Sequence, residues 1–182
     1  MDRLDPLPTS PAEILRLLGN LLRVGTVAAV DHKAARCRVR TGNLTTAWAP
    51  WFALRAGGEQ GRLWWPPAVG EQCLVLCPGG DTGGALVLCG IPSDALPAGS
   101  NSPTEARTDW SAQSRMVHDR AGESLVIECP GSITLRCGET ELRLTPEGAT
   151  ITPDIVGGGR VSLVHHLHGG VRKGTDQTGE PA

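Results

Sequence analysis

The chain is short of simple aromatic side chains, because its 182 residues include no tyrosine and one phenylalanine, beside five tryptophans. Aromatic side chains line most small-molecule pockets, so a broad enzyme site of that kind is not expected. An excess of positive charge is also missing, since 17 lysines and arginines stand against 19 acidic residues and the net charge is −2. A basic surface that attracts nucleic acid or anionic lipid over the whole protein is therefore not expected either.

Long hydrophobic runs are absent as well, and the N-terminal segment 1–6 carries acids and a proline. We therefore expect a protein made in the cytoplasm without a secretory signal or a membrane span. In that compartment the cysteines are expected to be reduced, buried and apolar in character. The spacing of Cys73 and Cys77 is a weak zinc signal, and packing is the favoured interpretation. The six cysteines are Cys37, Cys73, Cys77, Cys89, Cys129 and Cys137.

Glycine and proline are abundant, at 24 and 14 residues, which favours many short strands separated by turns. One helix is nevertheless predicted at about residues 11–23. Ser10 and Glu13 have the spacing of a capping box, and Pro11 suits the first helical position. This helix either packs on its own domain or serves as a docking arm. Its apolar face carries Leu15, Leu18 and Leu22.

Residues 24–92 have the pattern of a small all-β domain, because five short segments suit a closed barrel of the OB type. Four of the five tryptophans lie here, and OB barrels can stack nucleic-acid bases on aromatic rings. Basic residues do not surround Trp64 and Trp65. A loop that closes one barrel end is therefore favoured over a single-strand binder. The expected strands are 26–30, 37–40, 45–51, 72–76 and 85–89.

Residues 93–112 lack a periodic apolar pattern and are rich in turn formers, which is typical of a linker. Beyond it, apolar pairs alternate with polar residues, and glycines interrupt them every seven to ten residues. Each unit offers too few inward side chains to offset an ordering entropy of about 1–2 kcal/mol per residue. We therefore expect residues 113–160 to form an oligomeric β-prism or β-helix in which identical chains share one core. The apolar pairs are Leu125/Ile127, Ile133/Leu135, Leu142/Leu144 and Ala149/Ile151.

The C-terminal segment 161–182 holds three of the five histidines within four residues. In an extended strand His166 and His168 would point to one side and His165 to the other. Two ligands from each of three chains would give six imidazoles, an octahedral set that suits Fe(II) better than tetrahedral zinc. Such a set leaves no position for substrate, so the metal would be structural. The sequence predicts one iron per homotrimer, held by His166 and His168.

Other interpretations have less support. A flexible histidine-rich tail with incidental metal affinity leaves the preceding β repeats unexplained. A zinc metallohydrolase would combine the three histidines with Asp154 or Asp176, but the His-Glu-x-x-His helix motif is absent. A Gly-x-Ser-x-Gly nucleophile elbow is also absent, and segment 79–84 lacks the Lys-Ser/Thr of a phosphate loop. We therefore predict that the chain is not an enzyme.

Several motifs occur in the order helix, small barrel, β repeats and histidine segment. In this order they resemble the baseplate assembly protein V family, the central spike proteins of contractile-tailed phages and of phage-tail-like bacteriocins. The resemblance covers almost the whole chain from about residue 15 and is most specific at the C-terminal motif. The motifs are Arg23-Val24-Gly25-Thr26-Val27, Val69-Gly70-Glu71-Gln72, Pro78-Gly79-Gly80-Asp81 and Ser162-Leu163-x-x-His166-x-His168-Gly169-Gly170-Val171.

The resemblance implies an all-β homotrimer whose OB-fold domains form a collar that joins the tail hub and tube. It implies that His166 and His168 of three chains hold one Fe2+ ion, and that the spike pierces the host outer membrane. It also implies a structural protein of a phage or bacteriocin baseplate, assembled in the host cytoplasm and binding no nucleic acid. The expected divisions are an arm and helix (1–23), the OB-fold domain (24–92), a linker (93–112), an intertwined trimeric β-helix stalk (113–160) and a metal-bound apex (161–182).

Overall fold

The computed structural model describes residues 10–167, 169–170 and 174. The chain divides into two compact units between Asn101 and Ser102. Within the described part of the chain, no helix is long and apolar enough to cross a membrane. The two units differ in how they bury their apolar side chains.

The first unit is an antiparallel sheet preceded by one helix. Its strands are hydrogen-bonded in the order β3-β2-β1-β5-β6, and β4 pairs with β2. Each predicted strand is present, but the segment expected as one strand over 45–51 is divided between β3 and β4. The elements are α1 (Pro11–Leu21), β1 (Leu22–Asp31), β2 (Arg36–Thr41), β3 (Leu44–Thr45), β4 (Ala49–Pro50), β5 (Gln72–Leu76) and β6 (Leu86–Ile91), with 3-10 turns at Gly58–Gln60, Pro78–Gly80 and Thr82–Gly84.

The sheet curls without closing completely. Trp51 forms an isolated parallel bridge with Val87 on β6, and the Phe52 N–H donates to the Val87 carbonyl at 2.8 Å. The expected closed barrel is therefore only partly realised in the described residues, because a single bridge joins the segment after β4 to β6. Pro50 has no N–H to donate to a neighbouring strand, which helps to keep β4 short.

The core of the first unit lies on one face of the curled sheet. Gly25 on β1 faces this core, and a Cβ there would lie 2.4 Å from the Val39 side chain, so only glycine allows β1 and β2 to approach this closely. The cysteine prediction is confirmed at Cys37, Cys73 and Cys77 but is wrong for Cys129 and Cys137, which are exposed in the single chain. The buried apolar residues are Val27, Cys37, Val39, Ala49, Cys73, Val75, Cys77, Ala85 and Val87.

Helix α1 packs on the turn Pro78–Gly80, where Gly80 lies against the Leu17 backbone. The predicted capping box is wrong, because the Ser10 side chain makes no capping hydrogen bond and Glu13 instead pairs with Arg16 at 2.6 Å. None of the eleven helix residues is buried. The helix therefore contacts its own unit while Leu15 and other apolar side chains remain exposed.

The second unit consists of two three-stranded meanders and a short hairpin. The first strand, β7, lies within the segment that we expected to be a linker. It has no apolar run, and its place in the sheet comes from pairing along its length with β8. The strands are β7 (Glu105–Asp109), β8 (Arg115–Asp119), β9 (Ser124–Glu128), β10 (Ile133–Cys137), β11 (Thr140–Thr145), β12 (Gly148–Thr152), β13 (Val156–Gly157) and β14 (Val161–Ser162).

The meander β10–β12 has one apolar and one polar face. In the sheet β10–β12, Leu135 pairs with Leu142, which pairs with Ile151, and strand alternation brings these three side chains to one face. Arg136 and Glu141 form an ion pair on the opposite face. No residue in the described part of the second unit is buried. A single chain therefore leaves this apolar face uncovered.

Candidate metal site

The histidine segment follows the hairpin of β13 and β14. Gly158 and Gly159 occupy the turn with φ values of 58° and 70°, and the Arg160 N–H donates to the Gly157 carbonyl at 3.1 Å. Two successive residues with positive φ are the signature of a type I′ turn, which glycine adopts without strain. The hairpin therefore returns the chain beside Ile155, whose carbonyl accepts from the Leu163 N–H at 2.8 Å.

A carboxylate and a hydroxyl hold the start of the segment. The Asp154 carboxylate accepts from the Ile155 N–H at 2.7 Å and from the Val164 N–H at 3.1 Å. Ser162 lowers the pKa of Asp154 most, by donating its hydroxyl hydrogen bond, and the two amides add to the effect. The Ser162 hydroxyl oxygen in turn accepts from the His165 N–H at 2.7 Å. Together these bonds fix the backbone immediately before the histidines.

The extended conformation expected at the first two histidines is wrong. Residues 163–165 form a turn, and the His166 N–H donates to the Ser162 carbonyl at 3.1 Å. The cause is local, because a serine hydroxyl that accepts from an amide three residues later favours a turn over a strand. The alternation argument that separated His165 from His166 therefore does not apply to this segment.

The ring of His166 is oriented by backbone carbonyls. Its Nδ1 lies 3.0 Å from the Ser162 carbonyl oxygen and 3.1 Å from that of Leu163. Carbonyl oxygens can only accept, so this contact requires a proton on Nδ1, and in the neutral imidazole the lone pair is then on Nε2. Histidines that bind metals are commonly held by this type of second hydrogen bond. The local geometry of His166 thus fits a ligand that binds through Nε2.

The second predicted ligand, His168, lies outside the described residues. Within the described part of the chain, no three histidine, cysteine or acidic side chains come together to hold a metal ion. The assignment of the pair His166 and His168 therefore remains a prediction. Two imidazoles are too few to close a metal site, so the prediction requires ligands from more than one chain.

Asp154 is the acid that a metallohydrolase interpretation would use, and its bonding gives it another role. Its carboxylate is engaged by two amides and by Ser162, and its pKa is lowered. A general base needs a pKa near the working pH and a substrate proton within reach. Asp154 therefore stabilises the turn. The sequence analysis predicted neither this role of Asp154 nor the turn itself, although the Ser162-x-x-His165 spacing is typical of a turn that a serine stabilises. The other acid, Asp176, lies outside the described residues.

The tryptophans of the first unit border a cleft of about 290 Å³. Trp51 and Trp65 line it, and the ring of Trp64 packs on Trp51 with centroids 5.7 Å apart. The charged residue in the lining is Glu71, and no lysine or arginine contributes to it. Single-strand binders combine stacked aromatic rings with a positively charged groove. The cleft therefore does not have the electrostatics of a nucleic-acid site.

Comparison with known families agrees with this architecture. Residues 23–91 match the family model described as the Type VI secretion system/phage-baseplate injector OB domain, and residues 160–182 match the GpV Apex motif. The chain is also 32% identical over 152 residues to the spike protein of Escherichia phage P2, covering 79% of this chain and 71% of that protein. The chain belongs to the baseplate assembly protein V family.

Membership of the baseplate assembly protein V family makes this chain a structural spike component of a phage baseplate and not an enzyme. It confirms a mostly β chain with an OB domain and a short N-terminal helix. The GpV Apex motif binds metal at spike tips in general, and His166 lies within the matched segment. Family members work as oligomeric assemblies with other tail components. The chain is accordingly a component of the virion baseplate.

Proposed function

We propose that this chain forms a homotrimeric central spike whose second units share one core and whose apex is closed by a single iron ion. In this proposal residues 24–92 form the collar that joins the tail hub and tube. The strands from β7 onward, residues 105–160, form an intertwined β-helix, and residues 161–182 form the apex that leads through the host outer membrane. The observation that carries the proposal is the pair of uncovered apolar sheet faces in the second unit.

The sheet β10–β12 supplies the first of these faces. Leu135 lies on the edge strand β10 and has 60% of its surface exposed, although it pairs with Leu142 on the adjacent strand β11. Burying apolar surface stabilises by about 25 cal/mol per Å², and exposed apolar patches of this kind mark association sites. The ion pair of Arg136 and Glu141 keeps the other face suited to water. A sheet with one apolar face and one charged face is suited to burial of the apolar face only.

The sheet β7–β9 repeats the arrangement in part. Met116 pairs with Ile127 on one face, and Leu125 pairs with His118 there. The opposite face carries the ion pair of Arg115 and Glu128, with 2.5 Å between Nε and Oε2, and also the paired valines Val117 and Val126. Both consecutive sheets therefore expose apolar side chains that a further chain would bury. Copies of the same chain meet this need because they bring identical apolar faces to a shared axis.

Iron fits the donor set of the apex when three copies contribute. The His166 ring is oriented for binding through Nε2, and a second imidazole from His168 of each chain would complete six nitrogen ligands. A six-coordinate ion held entirely by protein would supply cohesion between the three chains. The carbonyls of Ser162 and Leu163 would hold the His166 ring in its ligating tautomer.

Passage through the host outer membrane is supported by the family alone. The relative from Escherichia phage P2 carries the name spike protein, and this chain aligns with 71% of it. A rigid trimer with its apex closed by metal would suit transmission of force from a contracting tail sheath. The hub and tube are the expected partners of the collar.

The metal assignment is tested by metal analysis of purified full-length protein. We expect about one iron per three chains, and loss of that iron in the His166→Ala/His168→Ala double variant. The matched control is His165→Ala, which removes an adjacent imidazole and should keep the iron. Unchanged metal content in the double variant would show that these histidines are not the ligands. Zinc at one ion per chain would favour a different site.

A further inference from the structure

The outer face of the sheet in the first unit carries a patch of aliphatic side chains. These side chains come from β1, β5 and β6, where they alternate along the strands with core residues such as Val75 and Val87. The backbone register of the three strands arranges them in two rows of three. One row holds Leu22, Leu76 and Leu86, the other holds Val24, Leu74 and Leu88, and together they are called the outer patch.

The outer patch is accessible in the single chain. Leu22 has 61% of its surface exposed, Val24 has 57% and Leu88 has 45%. The other three leucines are half-buried. The water-facing side of an antiparallel sheet normally carries polar residues, and an exposed apolar patch marks a site of association. The outer patch is therefore suited to cover by a permanent partner.

The size of the outer patch fits a single helix. Three adjacent strands span about 10 Å, and two rows of alternate residues lie about 7 Å apart along the strands. An α-helix with its side chains is about 10 Å in diameter, and the eleven residues of α1 extend over about 16 Å. One helix of this length therefore covers both rows.

Helix α1 has a matching apolar face, and it is the one α-helix in the described part of the chain. Ile14, Leu15 and Leu18 lie on its outward side at helical spacing. They have 43%, 69% and 57% of their surfaces exposed. The inward side packs elsewhere, since the Leu17 backbone lies against Gly80. The chain therefore presents both an apolar helix face and an apolar sheet face of similar size.

The helix does not cover the outer patch of its own chain. No loop separates α1 from β1, because Leu21 ends the helix and Leu22 begins the strand. The Cys77 N–H donates to the Leu21 carbonyl at 2.9 Å, which fixes this end of the helix beside the end of β5. With Leu17 held at Gly80, the outward side of α1 is directed away from its own unit. A helix that covers the outer patch must therefore come from another chain.

We propose that the outward side of α1 in one copy packs on the outer patch of the next copy, so that three first units close into a ring. Each copy offers its helix to one neighbour and receives a helix from the other, which is a heterologous contact that a three-fold axis closes. The ring rests on the proposed trimer of second units.

The size of the contact explains why it needs that trimer. Three helix side chains and six patch side chains are far fewer than the roughly 20–30 residues that each partner contributes to a stable interface. The contact therefore forms between copies that the second units already hold close together. The first unit does not need it to fold, because its core is buried within one chain.

The test uses full-length protein in which no single chain carries both substitutions. Leu18→Cys and Leu74→Cys are co-expressed, the mass of the product is measured by sedimentation, and a short bismaleimide is added. Mass spectrometry with fragmentation then locates the linked residues after cleavage. A link between positions 18 and 74 can only join two copies, and we expect it in the trimer. The control pairs Leu18→Cys with Lys33→Cys, at the exposed turn between β1 and β2, and should give no such link.

The labelling rate of one thiol gives a second readout. In Leu18→Cys alone, a maleimide should react about tenfold more slowly in the trimer than after Leu135→Asp is added, because assembly covers the helix face. The control Arg16→Cys lies on another side of α1 and should react at the same rate in both proteins.

The outcomes separate the ring from the trimer. A trimer that shows neither the link between positions 18 and 74 nor slower labelling would overturn the ring and leave the trimer intact. The outer patch would then be free for another tail component. A monomer in solution would contradict the trimer and the ring together.

Discussion

The two units of this chain differ in how far they bury their apolar side chains. The first unit surrounds a cluster that includes Val27, Val39, Val75 and Val87, each with at most 1% of its surface exposed. The second unit contains no buried residue among those described, although its strands are as regular as those of the first. Strand formation alone therefore does not indicate that a unit is stable by itself.

The two units therefore differ in the source of their stability. Ordering a residue costs about 1–2 kcal/mol of conformational entropy, and burial of apolar surface is the main term that offsets this cost. The first unit obtains that burial within one chain. The second unit has apolar side chains on its sheet faces, and no residue in the described part of the chain buries them. The stability of the second unit should therefore depend on other copies of the chain, whereas the stability of the first unit should not depend on them.

The largest effect is expected from a charge placed on an uncovered apolar face. In Leu135→Asp, three carboxylates would enter the shared core of the proposed trimer, where each unpaired charge costs several kcal/mol. We expect loss of assembly and loss of the β signal of the second unit by circular dichroism. The first unit should keep its tryptophan fluorescence, since four of the five tryptophans lie in it.

The matched control for that substitution is Thr134→Asp. Thr134 neighbours Leu135 on β10 but lies on the polar face, where it pairs with Arg143. A carboxylate there stays in water beside a cation, so assembly should be unchanged. If both variants assemble equally well, the two faces of the sheet are equivalent and the comparison between the units fails.

A smaller effect is expected from a cavity in the core of the first unit. Val75→Ala removes two methyl groups from a fully buried position and should lower the free energy of unfolding by about 2–3 kcal/mol. Denaturant titration followed by tryptophan fluorescence measures this change. The control Val24→Ala alters a valine with 57% of its surface exposed and should cost far less. The native mass should stay the same in both, because this core lies within one chain.

Two adjacent glycines test the packing of helix α1. Both have positive φ, 65° for Gly79 and 76° for Gly80, so alanine at either position costs about 1–2 kcal/mol of backbone strain. A Cβ at Gly80 would also lie 2.6 Å from the Leu17 carbonyl oxygen, whereas one at Gly79 meets nothing within 4 Å. Gly80→Ala should therefore destabilise the first unit more and reduce the protection of the helix amides from hydrogen exchange. Equal losses in the two variants would mean that the helix does not pack on this turn.

The smallest effect concerns the turn before the histidines. The folded-state pKa of Asp154 is lowered, so its stabilising contribution is present above the unfolded-state pKa and is lost as the pH falls through the folded-state pKa. We expect the protection of the Val164 amide, which donates to Asp154, to fall over that acidic range when its exchange rate is compared with the intrinsic rate at each pH. In Asp154→Asn this acid-dependent step should disappear. Persistence of the step in the variant would assign it to another group.

Much of the fold follows from the sequence, and the exceptions have local causes. Alternation predicted β5 with its observed bounds, Gln72–Leu76, and it separated the two faces of β10–β12. Alternation did not reveal β7, because that strand has no apolar face of its own and depends on pairing with β8. The turn at residues 163–165 was missed because a single hydroxyl hydrogen bond from Ser162 outweighs strand periodicity there.

The ligand pair His166 and His168 stays a prediction from the sequence, since strand alternation does not hold at residues 163–165 and His168 lies outside the described residues. The ring of His166 is held by two carbonyls in a way that suits a ligand. The contribution of Asp154 depends on the hairpin of β13 and β14, which brings residues ten positions apart into contact. A contact of this kind is not visible in the spacing of the histidines themselves.

In the proposed spike, two further copies of the chain complete the second unit. The decisive measurement is the mass of the full-length protein in solution, by sedimentation equilibrium over a wide range of dilution. We expect a mass three times that of the 19.1 kDa chain, maintained as the protein is diluted. A stable monomer whose second unit shows full β structure would contradict it.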